Sequence, residues 1–445
     1  MNTPICDFVN KYVQKDFVRA HMPGHKGENI LGFEHLDITE IKGADSLFEA
    51  ESIIKESEEN ASEIFSCDTF YSTEGSSLSI RAMMYLSLIY AKKRGKAPLV
   101  LAGRNAHKTF LSAIALLDMD VEWLYSKENS YLSCEINEKE LDEKLLSMST
   151  KPVAVYLTSP DYLGNTLDIE AIAKVCKKHD VLLLIDNAHG AYLKFLEKSM
   201  HPIDLGATMC CDSAHKTLCA LTGAAYLHIS KNADEIFTDN VKDALSLFAS
   251  TSPSYLILQS LDKLNAILSD GYKDRLKTFI AKVNTLKKIL DKSGYTLLGN
   301  EKIKITISTK PYGYKGYEFA EILREKGVEC EFCDPDFVVL MLTESMSDDT
   351  LMKIESALLS IEKSKELDET VPEFSMPQRV MSVRDAVMSL SKTVGVKDSV
   401  GKVLATANVS CPPAVPIVVS GEKIDESAIE IFEYYSIDSC TVVSE

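Results

Sequence analysis

Short apolar runs that alternate with amphipathic stretches constrain this chain more than any other feature. "APLVLAG" (97–103), "PVAVYLTSP" (152–160), "VLLLID" (181–186) and "AAYLHIS" (224–230) read as strands with apolar residues on both faces. Side chains alternate across a strand, so such a strand needs cover above and below. Between them, "LDIEAIAKVCKKHD" (167–180) places apolar residues at helical spacing. Strands separated by helices predict an α/β fold with a mainly parallel sheet covered on both sides.

A long helical region is expected over about 254–293, followed by a restart of strand–helix–strand patterning at 302–308, 317–327 and 337–343. This restart predicts a smaller α/β unit. The stretch after "VPEFSMPQRVMSVRDA" reads as a further module. The expected division is an N-terminal arm (1–35), a major domain (36–295), a small α/β domain (296–370) and a C-terminal module (371–445).

The formal charge of -18 argues against a general nucleic-acid binder, which needs a basic face for phosphates. It leaves open a cationic substrate, which an acidic surface attracts. The 11 cysteines form neither a disulfide framework nor a pair of CxxC motifs suited to zinc, so reduced thiols and no metal are expected. The N-terminus lacks an apolar signal core and no stretch approaches a membrane span. A cytoplasmic protein with no membrane partner is the expectation.

Chemistry concentrates at the ends of the expected strands. "VLLLIDNAHGAY" sets Asp186 at the carboxyl end of a buried strand, where open α/β sheets bind ligands. Thirty residues later, past the short strand "GATMCC", "DSAHKTL" supplies Lys216 behind His215. A carboxylate and an amine at neighbouring strand ends fit a pyridoxal ring, the acid at the pyridine nitrogen and the lysine at the carbonyl. Asp186 alone reads equally as a cap or metal carboxylate, and Lys216 alone as a surface lysine. "YSTEGSSLSI" places Gly75, Ser76 and Ser77 at a helix start, which presents backbone N–H groups to a phosphate. In "GRNAHKTF", His107 has an aromatic ring able to stack on a flat cofactor.

These segments occur in order with "RAHMPGHKG", "DITEIKGADSLFEA", "TSPDYLGNTLDI", "STSPSYLILQSLD" and "CPPAVPIVVSGE". Together they resemble the Orn/Lys/Arg decarboxylases, fold-type-I pyridoxal-phosphate enzymes, in a short form without an N-terminal wing domain. The resemblance implies pyridoxal 5'-phosphate as cofactor. It implies Lys216 as Schiff-base lysine, Asp186 as pyridinium partner and His107 as ring-stacking residue. Ser76, Ser77, Ser213 and His215 would surround the phosphate or the reacting carbon, and Ala188 and His189 would pack near the ring. A homodimer would complete each site through Thr251 or Ser252 of the other copy. His21 and His25, in the arm, are expected to be architectural.

The same resemblance implies release of carbon dioxide from a basic amino acid, with arginine favoured over lysine or ornithine. Lys216 or His215 would return a proton to the α-carbon. The cationic side chain needs an anion, for which Glu331, Asp334 and Asp336 in "ECEFCDPDF" are candidates. Glu74, Leu78, Ser79, Asn187, Tyr192, Cys411 and Ala414 depart from the usual family pattern. Two rivals follow. An aminotransferase would hold the substrate carboxylate through an arginine such as Arg379 or Arg384, and a degenerate relative would only bind a partner.

Overall fold

Seven strands form the central sheet: β1 (Asp68–Ser72), β2 (Leu99–Gly103), β3 (Asp120–Leu124), β4 (Ala154–Thr158), β5 (Leu182–Asp186), β6 (Met209–Asp212) and β7 (Ala225–Ile229). The computed structural model describes residues 1–125, 130–373, 376–406 and 414–444. Strand order is β1-β7-β6-β5-β4-β2-β3, and only β7 runs against its neighbours. The mainly parallel sheet is therefore as expected. Its connections, including the helix Ile169–Lys178, are right for βαβ units.

Alternation along the strands builds two cores. Val155, Leu157, Leu183 and Ile185 face one side, and Ala154, Tyr156, Leu182 and Leu184 face the other. Each large aliphatic side chain contributes roughly 1.5–3 kcal/mol on burial. Polar groups are therefore admitted mainly where the strands end. Sequence patterning missed β1 and β3: "DTFYS" and "DVEWL" mix polar and apolar residues and lack a continuous apolar run.

The expected helical region over 254–293 is two helices, Tyr255–Ser269 and Tyr272–Lys292. The break falls at Gly271, whose φ of +63° favours glycine. Apolar spacing persists on both sides of the break, so periodicity alone hid it.

A second sheet contains β8 (Thr296–Leu298), β9 (Lys304–Ser308), β10 (Phe332–Cys333) and β11 (Phe337–Met341) in the order β10-β11-β9-β8. Every pair in it is antiparallel. The expected strand–helix–strand restart is present through the helix Gly316–Glu325. The crossover delivers β10, and a hairpin then folds β11 back between β10 and β9. A third antiparallel sheet has the order β12-β14-β13, from β12 (Ser391–Gly395), β13 (Leu404–Thr406) and β14 (Ser439–Val443). No helix among the described residues is long and apolar enough to cross a membrane.

The C-terminal segment is fastened to the central sheet beside β2. Arg104, just past that strand, donates to the Pro416 and Ile417 carbonyls (3.0 and 2.7 Å) and pairs with Glu422 at 3.0 Å. Both side chains are buried. Burial raises the Glu422 carboxyl, against the pull of the Arg104 guanidinium and the Val419 N–H. The Lys108 N–H donates to the Ala414 carbonyl (2.8 Å), which brings residue 414 against the start of the helix that carries His107. Ala414 has a φ of +56°, where an L side chain costs about 1–2 kcal/mol. Cys411, the neighbouring departure, lies outside the described residues.

Removing one partner of a buried ion pair typically costs about 3–5 kcal/mol, whereas an apolar replacement of both is near neutral. Arg104→Ala is expected to shift the urea unfolding midpoint down by an equivalent amount. Arg104→Met with Glu422→Leu is expected to recover most of the loss. Circular dichroism and tryptophan fluorescence, followed together, check both.

Candidate active site

Asp186 is the last residue of β5, in register with Thr158 on β4 and Cys211 on β6. This register supplies its ligands. The Tyr156 hydroxyl donates to Oδ2 at 3.1 Å, the Ala188 N–H to Oδ1 at 3.2 Å, and the Cys211 thiol reaches Oδ1 at 3.6 Å. Asp186 is 4% exposed, and none of these donors carries positive charge. A buried carboxylate held only by neutral donors is costly unless a cation meets it.

Lys216 sits in the single turn Ala214–Thr217 that follows β6. Its Nζ lies 3.1 Å from His189 Nε2, which comes from the turn after β5. His107 caps the helix Lys108–Leu117, its Nδ1 accepting from the Thr109 N–H at 3.1 Å. Burial pushes the His107 imidazole down to about 4 against the pull of Asp186, and the Lys216 ammonium adds to the push. His189 is driven well below the ordinary imidazole range by burial, then by Lys216 and Lys304. His215 is also lowered, chiefly by burial, and its Nδ1–H donates to the Ala224 carbonyl at 2.9 Å. Neutral imidazoles therefore surround the lysine at neutral pH.

A set of hydroxyl and backbone donors lies beside this cluster. Gly75 has a φ of +70° and opens the 20-residue helix Gly75–Arg94, with its N–H bonded to the Gly223 carbonyl at 2.8 Å. The Ser213 and Ser76 hydroxyls are 3.0 Å apart, and the Ser77 and Thr109 hydroxyls 3.2 Å. A Cβ on Gly75 would approach His215 Cε1 at 4.0 Å, so the ring borders this helix start. Hydroxyls and the positive end of a helix dipole suit an anion. Glu74 turns away, accepting from the Ser250 N–H at 2.7 Å. Thr251 and Ser252, on the same loop, are exposed. Leu78 and Ser79 are buried in the helix.

The anion candidates separate cleanly. Glu331 is exposed and accepts from the Tyr162 hydroxyl at 2.9 Å, and its charge acts on His215. Asp336 does not offer a free anion, which corrects one expectation: Lys310 pairs with it at 2.8 Å and the Tyr434 hydroxyl donates to it at 2.5 Å. Asp334 shapes the β10–β11 turn by accepting from the Asp336 and Phe337 N–H groups (2.8 and 2.7 Å). Burial, with Asp336 adding, raises its carboxyl to about 7. Arg379 and Arg384 are structural. The first donates to the Val121 carbonyl at 3.0 Å and the second to those of Ala115 and Leu116 (2.8 and 3.1 Å). His21 and His25 remain in the arm, on the Tyr12 hydroxyl and Asp37.

Several buried groups escaped sequence reasoning. Tyr156 lies inside an apolar run with nothing to mark its hydroxyl as a ligand of Asp186. On the opposite face of the sheet, Asp212 accepts from Asn187 at 2.6 Å, with His201 and His228 nitrogens at 3.1 and 3.2 Å. Burial opposes ionisation there, but the two imidazoles hold the Asp212 carboxyl far below its usual range. Ligand atoms of His201, Cys210 and Asp212 lie within 4.8 Å of one another, a grouping their spacing does not announce. Asn187 also explains Gly190: a Cβ there would sit 2.0 Å from Asn187 Oδ1. Tyr192 is buried and its hydroxyl accepts from the Lys302 N–H at 3.1 Å. The single CxxC, Cys330 to Cys333, is reduced, as is every described cysteine.

Comparison with known proteins supplies the family. The Orn/Lys/Arg decarboxylase major-domain model matches residues 3–310, and the C-terminal-domain model of the same family matches residues 364–439. An arginine decarboxylase of Halalkalibacterium halodurans is 28% identical, over 96% of this chain and 91% of its own length. That of Bacillus subtilis is 26% identical over 96% and 92%. Among solved structures, the Francisella novicida lysine decarboxylase LdcF superposes with a TM-score of 0.80 at 18% identity, covering 99% of this chain and 81% of that one. The Escherichia coli constitutive lysine decarboxylase gives 0.78 at 16% identity, covering 100% and 82%. The chain has the fold-type-I architecture and belongs to the Orn/Lys/Arg decarboxylase family.

Proposed function

We propose that this protein removes the α-carboxylate of a basic amino acid, with arginine the first substrate to try, using pyridoxal 5'-phosphate attached to Lys216. The observation that carries the reading is that His107 feels both Asp186 and Lys216, while the Ser213 and His215 neighbours of Lys216 border the Gly75–Ser77 helix start. The residues present fit the cofactor. A buried carboxylate with only neutral donors matches a protonated pyridine nitrogen. The paired Ser76 and Ser213 hydroxyls, the start of a long helix without a side-chain cap and His215 beside Gly75 match a phosphate.

When bound, pyridoxal phosphate supplies an electron sink for the pair released as the carboxylate leaves as carbon dioxide. The chain's own groups do the rest. Asp186 would hold a proton on the ring nitrogen. Neutral His107 would offer an uncharged aromatic face that does not compete for that carboxylate. Ser76, Ser77, Ser213 and His215 would hold the phosphate, and Ala188 and His189 would border the ring. Lys216 would be the point of attachment at the carbonyl, with water released, and Lys216 or His215 would return a proton to the α-carbon. Glu331 meets the cationic head group from the small sheet. Thr251 or Ser252 of a second copy completes the phosphate contacts, so the working unit is a homodimer, and the reduced thiols suit the cytoplasm.

Arg379 and Arg384 are both spent on backbone carbonyls of the central domain, which disfavours the aminotransferase reading. Protein loaded with pyridoxal phosphate is incubated in turn with arginine, lysine and ornithine. The expected products are carbon dioxide and agmatine, and a keto acid or no amine from any of the three overturns the reading.

Lys216→Ala is expected to lose the long-wavelength absorbance of the bound cofactor and at least about 10³-fold in turnover. Borohydride reduction followed by peptide mass spectrometry checks the attachment point. Glu331→Gln is expected to raise KM for the basic substrate by about 10- to 100-fold, the worth of one charged hydrogen bond, with kcat changed less. Steady-state kinetics on the preferred substrate reads this split.

A further inference from the structure

His189 has two nitrogen neighbours, and the second comes from the small sheet. Its Nε2 faces Lys216 at 3.1 Å, and its Nδ1 faces Lys304 Nζ at 3.4 Å. Lys304 is the first residue of β9 and is 3% exposed. Its Nζ also donates to the carbonyls of Asp161 and Tyr162, both at 3.2 Å, and makes no ion pair among the described residues. An ammonium has three hydrogens and accepts nothing, so two carbonyls and one imidazole nitrogen form a complete set of acceptors. The Tyr162 ring packs edge-on against His189 with centroids 5.0 Å apart and fixes the plane of the imidazole. Gly164 leaves the channel open, since a Cβ there would press on Lys304 Cδ at 3.3 Å.

We propose that Lys304 is a positioning residue for the reaction: it occupies His189 Nδ1, so that, once the Lys216 nitrogen is no longer an ammonium, the imidazole stays neutral and carries its proton on Nε2, aimed at that nitrogen's place. This inference rests on the pyridoxal phosphate reading for its consequence, although its geometry stands without the cofactor. An imidazole with a free choice of tautomer presents Nε2 as acceptor for part of the time. With Nδ1 occupied by a donor, Nε2–H remains a permanent donor to whatever replaces the Lys216 amine. The charged and titratable groups around the pair are Lys216 and His215 after β6, His107 at its helix start, and Asp186 at the end of β5. Burial, with the Lys216 charge adding, lowers the Lys304 ammonium, against the pull of Glu301, Asp161 and Glu331. Lys304 thus acts through His189, from the small sheet.

Magic-angle-spinning NMR of ¹⁵N-histidine-labelled Lys216→Met protein, which lacks the competing ammonium, tests the tautomer without any cofactor, with the His189 signals assigned by their loss on adding His189→Gln. The expected result with Lys304 present is an unprotonated Nδ1 and a protonated Nε2, unchanged from about pH 6 to 8.5. A protonated Nδ1 in that protein overturns the proposal, whatever the further variants do. With Lys304→Met added, the Nδ1-protonated or doubly protonated form is expected to appear, and an unaltered spectrum also overturns it. Lys304→Arg in the same background, which restores a donor, is expected to return the first pattern. In a second arm the wild type and Lys304→Met, both retaining Lys216, are loaded with pyridoxal phosphate and their absorbance followed against pH. Loss of a cation several ångströms away is expected to move the apparent pKa of the chromophore up by about one unit. Absence of any Lys216-linked chromophore in the wild type sinks the cofactor reading but leaves the tautomer result decisive for Lys304.

Discussion

The register of three parallel strands governs the site. Because Thr158, Asp186 and Cys211 stand side by side on β4, β5 and β6, Tyr156 and Cys211 are brought to the Asp186 carboxylate from either flank. The next residues along the chain then leave the sheet together. β5 runs into the turn with Ala188 and His189, and β6 runs into the turn with Ser213, His215 and Lys216. A slip of one residue in either pairing would turn Asp186 to the other face of the sheet, toward Asp212 and its imidazoles.

Burial then selects protonation states. Desolvation disfavours charged imidazole, and the Lys216 charge reinforces it, so His107 and His189 are held neutral, while Asp186 makes no ion pair among the described residues. Neutral rings and a carboxylate held by neutral donors thus lie on one face of the sheet. On the other face of the sheet, Asp212 draws three donors and forms a closed polar knot. The same strand ends thus carry two buried carboxylates in different settings: Asp212 beside two imidazoles and an amide, and Asp186 among a hydroxyl, a thiol and a backbone N–H.

Much of the fold was legible because burial on two faces leaves a pattern of consecutive apolar residues. β2, β4, β5, β6 and β7 carry that pattern, whereas β1 and β3 lie at the edges of the sheet, tolerate polar residues and were missed. The convergence of Gly75, Ser76, His107, Asp186, His189, Ser213 and Lys216 was legible for a related reason: each follows or ends a recognisable strand or opens a helix. Lys304 was not. "KIKITIS" reads as a strand with lysines turned to solvent, and only the tertiary fold shows that Lys304 turns inward. Asp336 misled in the reverse sense, since its partners Lys310, Tyr434 and Tyr435 are remote in sequence. Ion pairs across long separations leave no periodic trace.

The four-stranded sheet holds two buried lysines that reach in different directions. Lys304 anchors it to the turn after β4 and to His189, and Lys310 anchors it through Asp336 and Tyr434 to the helix Glu426–Tyr434. Hydrogen bonds of this length tolerate displacements of only a few tenths of an ångström before they weaken. Any hinge motion of this sheet is therefore felt at once by the imidazole beside Lys216 and by the carboxyl-terminal layer. Closing the pocket, setting its acid–base state and seating the end of the chain are three readings of a single rigid-body coordinate.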